Sequence, residues 1–254
     1  MPRHAIATTL AAALILSAAS ATPALADAGP GGFAIGTPQP GGASALSALS
    51  PVAVSSAAGT LSVQAGAMLG ATVDITGSAA GAPAGRAVTI ERQARDGSWA
   101  TAVTATTGGD GSFRAQWRPD RTGQVSLRAD MGDAAGATTA QTATLPTSTV
   151  TIYNPAVATW FGPGFYGRRT ACGQRMSRTL VGVAHRSLPC GTQVALLYQG
   201  RTITVPVVDR GPFRSGTTYD LTAATATALG FSTKARIGAV RAIAPGATAL
   251  VTRR

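Results

Sequence analysis

Asp209 and Asp220 carry the only two side-chain carboxyls in the last hundred residues of this 254-residue chain, a stretch that gathers thirteen of its twenty-one lysines and arginines. Carboxyl groups are the usual proton donors for attack on glycosidic bonds, so acid/base chemistry of that kind has almost no other seat here. Asp209 opens Asp209-Arg210-Gly211-Pro212-Phe213, whose Gly-Pro pair marks a turn, and Asp220 precedes a helix start at Leu221-Thr222-Ala223-Ala224. His185, in Ala184-His185-Arg186, is the only other residue of the region suited to proton transfer near neutrality.

Charge is spread unevenly. From Leu61 to Pro146 seven arginines face seven acids, whereas from Thr151 to Arg254 thirteen cations face two acids. A region so basic calls for an anionic partner. Nucleic acid is one class of such partner, but the N-terminus argues for another. Met1-Pro2-Arg3-His4, an apolar run from Ala5 to Ala21 and the small-residue site Ala24-Leu25-Ala26 read as a secretory signal over 1–26, cut after Ala26. The run is too short and too rich in Ala and Thr for a membrane anchor, and no later segment is apolar for long enough to span a bilayer. With no cysteine just after the signal to accept a lipid, the protein is expected to be secreted, extracellular or wall-associated. There it meets anionic wall polymers before any nucleic acid.

In an exported chain the even pair Cys172 and Cys190 is most simply one disulfide, worth about 3 kcal/mol by loop closure. Without Cys-x-x-Cys spacing, and with one histidine beyond the signal, the residues do not furnish a four-ligand zinc site, so no metal or cofactor is expected.

Two regions must position these groups. Residues 27–56 are Gly/Pro/Ala/Ser-rich and almost uncharged, which predicts a flexible linker. Over 57–145, alternating runs such as Val73-Asp74-Ile75-Thr76 and Gln124-Val125-Ser126-Leu127-Arg128 are separated by Asp96-Gly97 and Gly109-Asp110-Gly111 turns. Period-two alternation with such turns predicts an antiparallel, immunoglobulin-like β-sandwich, with Trp99 and Trp117 in strand or core packing. A second linker is expected over 146–154. Residues 155–245 are expected to be an all-β domain with one helix, Thr222 to Leu229, capped by Thr222 and closed by Gly230, followed by a tail at 246–254. Its strands include 192–198 and 201–208, joined at Gln199-Gly200, with Pro206 at an edge or bulge.

Four blocks of that region carry a resemblance: Ala158-Thr159-Trp160-Phe161-Gly162 through Thr170-Ala171-Cys172-Gly173, then Ala184-His185-Arg186 through Pro189-Cys190-Gly191-Thr192, then Asp209-Arg210-Gly211-Pro212, then Tyr219-Asp220-Leu221-Thr222. Together they resemble the rare-lipoprotein-A (RlpA) family. The resemblance covers the C-terminal third or so of the chain. It implies a six-stranded double-psi β-barrel acting on peptidoglycan glycan strands as a lytic transglycosylase. Such an enzyme cleaves the MurNAc–GlcNAc bond without water, leaving a 1,6-anhydro-MurNAc end in wall remodelling, and needs one acid/base rather than two carboxyls.

On that reading Asp220 is the proton donor, Asp209 orients substrate or sets the proton distribution, and His185 hydrogen-bonds a carboxylate or the sugar. Gln174 stands where relatives carry glutamate, and can bond a sugar but cannot supply a catalytic proton. Phe161 and Tyr166 would stack on sugar rings while Arg168, Arg169, Arg186 and Arg210 face carboxylates; Trp160 and Phe165 are expected in the core. Each acid also has a plain structural reading, Asp220 as a helix cap and Asp209 as a brace for the turn, and His185 as a satisfied core histidine. The alternative function is a non-catalytic glycan-binding or wall-loosening module, like expansin-like and barwin-like barrels.

Overall fold

The computed structural model describes residues 47–132 and 144–242. The expected signal over 1–26, most of the first linker and the tail at 246–254 lie outside the described residues.

Fifteen strands and one helix follow in order: Ser47–Ala48 (β1), Val52–Ser56 (β2), Gly59–Val63 (β3), Gly66–Met68 (β4), Val73–Ala79 (β5), Ala87–Gln93 (β6), Trp99–Thr106 (β7), Ser112–Trp117 (β8), Gly123–Asp130 (β9), Ser148–Phe161 (β10), Val183–Ala184 (β11), Gln193–Tyr198 (β12), Arg201–Asp209 (β13), Tyr219–Thr222 (β14), Ala223–Leu229 (α1) and Ala235–Arg241 (β15). The described residues are all-β but for that helix, as the alternation predicts.

In the N-terminal part, β2-β3-β5-β8 form one antiparallel sheet, and β7, β6, β9 and the first half of β10 form another with β4 beside β10. Alternate residues of both sheets, among them Leu61, Ile75, Phe113, Trp117, Ile90, Leu127 and Ile152, meet in one buried core. Trp117 lies in that core; Trp99 is half-buried under the Arg128 guanidinium, 4.3 Å from its ring.

The second half of β10 opens a closed barrel in the order β10-β15-β12-β13-β11-β14 and back to β10. The β10–β14 and β11–β13 pairs are parallel and the other four antiparallel. Its own core holds Val194, Leu196, Val205, Leu221, Leu229 and Ile237. Gln199 and Gly200, both at positive φ (47° and 74°), make the β12–β13 turn, the conformation a two-residue hairpin favours. Pro206 is tolerated because the neighbouring Val207 N–H donates to Thr192 of the β12 side, so the donor proline lacks would point the other way, ahead of the β11 pairing that starts at Val183. Helix α1 has Thr222 as N-cap, its side chain accepting from the Thr225 N–H, and Gly230 at φ 68° as the left-handed stop.

The described end of the first expected linker and most of the second are instead strand. Val52–Ser56 pairs with β3, and Val54 packs against the sandwich core. Residues 148–154 are the first half of β10, where Val150 and Ile152 are fully buried. The Thr/Ser composition of 147–149 suggested a break, but apolar alternation resumes at once at Val150, so one strand serves both parts.

Candidate active site

Four adjacent strands set one lateral row of residues. Asp209 of β13 pairs with Ala184 of β11, Ala184 pairs with Asp220 of β14, and Asp220 pairs with Thr159 of β10. All four line a single groove of about 590 Å³. Strands lie about 4.8 Å apart, so the two aspartate backbones sit roughly 10 Å from each other with only the Ala184 methyl between them.

Asp220 is half-buried, and its Oδ1 accepts a hydrogen bond from the Thr159 hydroxyl at 2.8 Å. Burial pushes its carboxyl above the ordinary aspartate range; the Thr159 bond opposes this, the Asp209 charge adds to it, and Arg214 opposes it. That is the direction a proton donor needs. The end of β14 is fixed beneath it by a buried polar knot. The Gly182 N–H donates to the Thr222 and Thr225 hydroxyls at 3.2 and 2.8 Å, and the Thr225 hydroxyl donates to the Gly182 carbonyl at 2.9 Å. A Cβ at Gly182 would lie 2.5 Å from a Val208 methyl, so only glycine allows this approach.

Asp209 is held differently. Its Oδ1 accepts the Ala171 and Arg210 backbone N–H groups, both at 2.8 Å. The Ala171 donor comes from the long β10–β11 loop, which the Cys172–Cys190 disulfide clamps to the segment entering β12. Cα atoms of the bridged pair are 5.6 Å apart.

His185 stands beside this row without joining it. Its Nδ1 accepts the Ser187 and Leu188 N–H groups at 3.2 and 3.0 Å, its ring tilts against Tyr219 at 4.9 Å, and its backbone N–H donates to the Asp209 carbonyl. Burial, with Arg210 and Arg186 nearby, holds its imidazole below the usual histidine range and therefore neutral at neutral pH. Among the described hydrogen bonds neither carboxylate accepts from its side chain.

Of the other expected binding residues, Phe161 and Arg210 line the groove. Gln174 lies outside its lining, its Oε1 accepting from the Thr170 hydroxyl at 3.3 Å. Tyr166 lies under Arg178 at 5.3 Å, Arg168 lies 5.8 Å over Phe165, and Arg169 donates to the Gly173 carbonyl. Arg186 donates to the carbonyls of Pro212, Arg214 and Thr217, bracing the β13–β14 loop.

Trp160 and Phe165, expected in the core, are instead 40% and 49% exposed on the groove wall, and Phe213 is 82% exposed at its rim. Trp160 escapes burial because its indole N–H reaches the Ser232 carbonyl at 3.0 Å, at the surface beyond α1. Thr159, Phe213 and Arg214 also line the groove. A large apolar residue straight after a Gly-Pro turn was a usable signal for Phe213, whereas Thr159 meets Asp220 only through a strand pair 61 residues apart. No group of three or more potential ligands among the described residues is placed to hold a metal ion.

A family model described as "Lytic transglycolase" matches residues 155–242. The chain is 44% identical over 85 residues to the probable endolytic peptidoglycan transglycosylase RlpA of Synechocystis sp., which covers 33% of this chain and 26% of that protein. It is 45% identical over 80 residues to the Aquifex aeolicus protein of the same description, covering 31% and 35% of the two chains. The endolytic peptidoglycan transglycosylase RlpA of Campylobacter jejuni is 40% identical over 67 residues, 26% and 24% of the two chains. The chain thus spans only about a quarter to a third of these relatives' length. That match and the closed mixed barrel agree: the C-terminal region is an RlpA-like double-psi β-barrel lytic transglycosylase domain.

Proposed function

We propose that this protein cleaves the MurNAc–GlcNAc linkage of peptidoglycan in the cell envelope as a lytic transglycosylase, with Asp220 as the acid/base. The observation that carries the reading is the pair of unlike carboxyls in one groove. Asp220 is desolvated and biased toward its protonated form, while Asp209 is fixed as an acceptor by two backbone N–H groups. The disulfide agrees with an oxidising, extracytoplasmic location, and the relatives' names supply the substrate.

In the reaction the Asp220 carboxyl protonates the bridging glycosidic oxygen as the muramyl C1–O bond breaks, releasing the GlcNAc side as an alcohol. The resulting carboxylate then takes the proton of the muramyl 6-hydroxyl as that oxygen bonds to C1. The proton returns to Asp220 and no water is consumed. Developing positive charge at C1 is stabilised by the Asp209 charge across the Ala184 gap. Trp160, Phe165 and Phe213 offer apolar faces to the sugar rings. Neutral His185 positions the Asp209 backbone and does not transfer the proton.

The same aromatic wall would suit a non-catalytic glycan binder. Incubation with peptidoglycan separates the two: an enzyme releases 1,6-anhydro-muramyl products and Asp220→Asn loses them, typically 10²-fold or more, whereas a binder retains the wall unaltered.

A further inference from the structure

A second cavity of about 540 Å³ shares the β13–β14 loop with the groove, and its wall carries Arg186 and Arg236. No acid lines it, and the only acids of the barrel, Asp209 and Asp220, line the groove instead. A guanidinium has five N–H donors. Arg186 uses three, Nε–H toward Pro212 and both on Nη2 toward Arg214 and Thr217. Its Nη1 pair has no partner among the described residues, and the side chain is exposed, so those donors are held in place and unfilled. Arg236 is exposed, and its side chain makes no hydrogen bond or ion pair among the described residues. Thr217, on the same wall, has a buried hydroxyl without a partner among the described residues.

We infer that this cavity is an anion subsite that takes a carboxylate of the glycan strand seated in the neighbouring groove, an inference that rests on the proposed function. The loop that Arg186 braces is shared: Pro212, Phe213 and Arg214 wall the groove, and Gly216 and Thr217 wall the cavity. A strand that extends from the groove across this loop would bring its anions to the cavity. Carboxylate is the anion such a strand carries, as the free lactyl group of peptide-stripped glycan or the peptide carboxyls of peptide-bearing glycan. Planar guanidinium donors match it in pairs.

The test is the affinity of the purified protein and its Arg236→Gln variant for three probes: peptide-stripped strands, the same strands with carboxyls methyl-esterified, and peptide-bearing strands. Esterification is expected to weaken wild-type binding about tenfold and Arg236→Gln binding far less. An Arg236 effect on stripped strands assigns the lactyl carboxylate as the source, and one confined to peptide-bearing strands assigns the peptide. An esterification effect of equal size in both proteins would overturn the subsite while leaving the groove reading intact. So would Arg236-dependent binding of poly(glycerol phosphate) without any response to esterification. Failure of every strand to bind the wild type would sink the groove reading and the subsite together.

Discussion

The two aspartates are identical side chains in unlike environments. Asp209 and Asp220 share one groove, but the first meets two backbone donors and the second meets burial and one hydroxyl. Because the Asp209 charge raises the Asp220 carboxyl, Asp209→Asn should lower it. A general acid works only while protonated, so activity falls as pH rises through its pKa; the alkaline limb of the pH–rate profile should therefore move to lower pH in Asp209→Asn. An unmoved limb with a lower rate at every pH would leave Asp209 a purely positional role. Scarcity made both aspartates legible in the sequence, since the barrel offers no other acid. Their modulators were not, because Thr159 and the Ala171 N–H reach them through tertiary pairing across 61 and 38 residues. Burial misled in the same way for Trp160 and Phe165, where a groove replaces the core that aromatic residues usually fill.

At the level of elements, the helix and the β12–β13 hairpin were legible because their signals are local: Thr222 and Gly230 cap one, and Gln199-Gly200 turns the other. The loop from Gly162 to Gly182 has no such signal, since its path is set by the disulfide and by the Asp209 contact. Removing the bridge by Cys172→Ser should cost about 3 kcal/mol and lower the unfolding temperature by roughly 6–12 °C. Activity should fall more than binding, because the freed loop no longer holds the Ala171 donor on Asp209; calorimetry with a product assay and a strand-binding assay reads all three.

Across the molecule, β10 decides how the sandwich and barrel are joined. Its first half pairs with β9 and β4, its second with β15 and β14, and buried Tyr153 sits at the crossover. Gly66 and Gly238 flank that side chain so closely that an added Cβ would come within 2.9 Å of a Tyr153 ring carbon and 2.7 Å of its Cβ. Gly238→Ala should therefore destabilise by about 1–3 kcal/mol, and tryptophan fluorescence from Trp99 and Trp117 in the sandwich and Trp160 in the barrel should report one shared transition. Two separated transitions would mean that the shared strand does not couple the parts. Composition pointed to a linker here because Pro146-Thr147-Ser148-Thr149 looks like one, and only the burial of Val150 and Ile152 reveals a strand. The most direct test of the account is mass spectrometry of soluble products after the wild type, Asp209→Asn and Asp220→Asn are each incubated with intact and with peptide-stripped peptidoglycan. The wild type should release 1,6-anhydro-muramyl products, Asp220→Asn should lose them and Asp209→Asn should release fewer. Undiminished products from Asp220→Asn, or none from the wild type on either substrate, would contradict it.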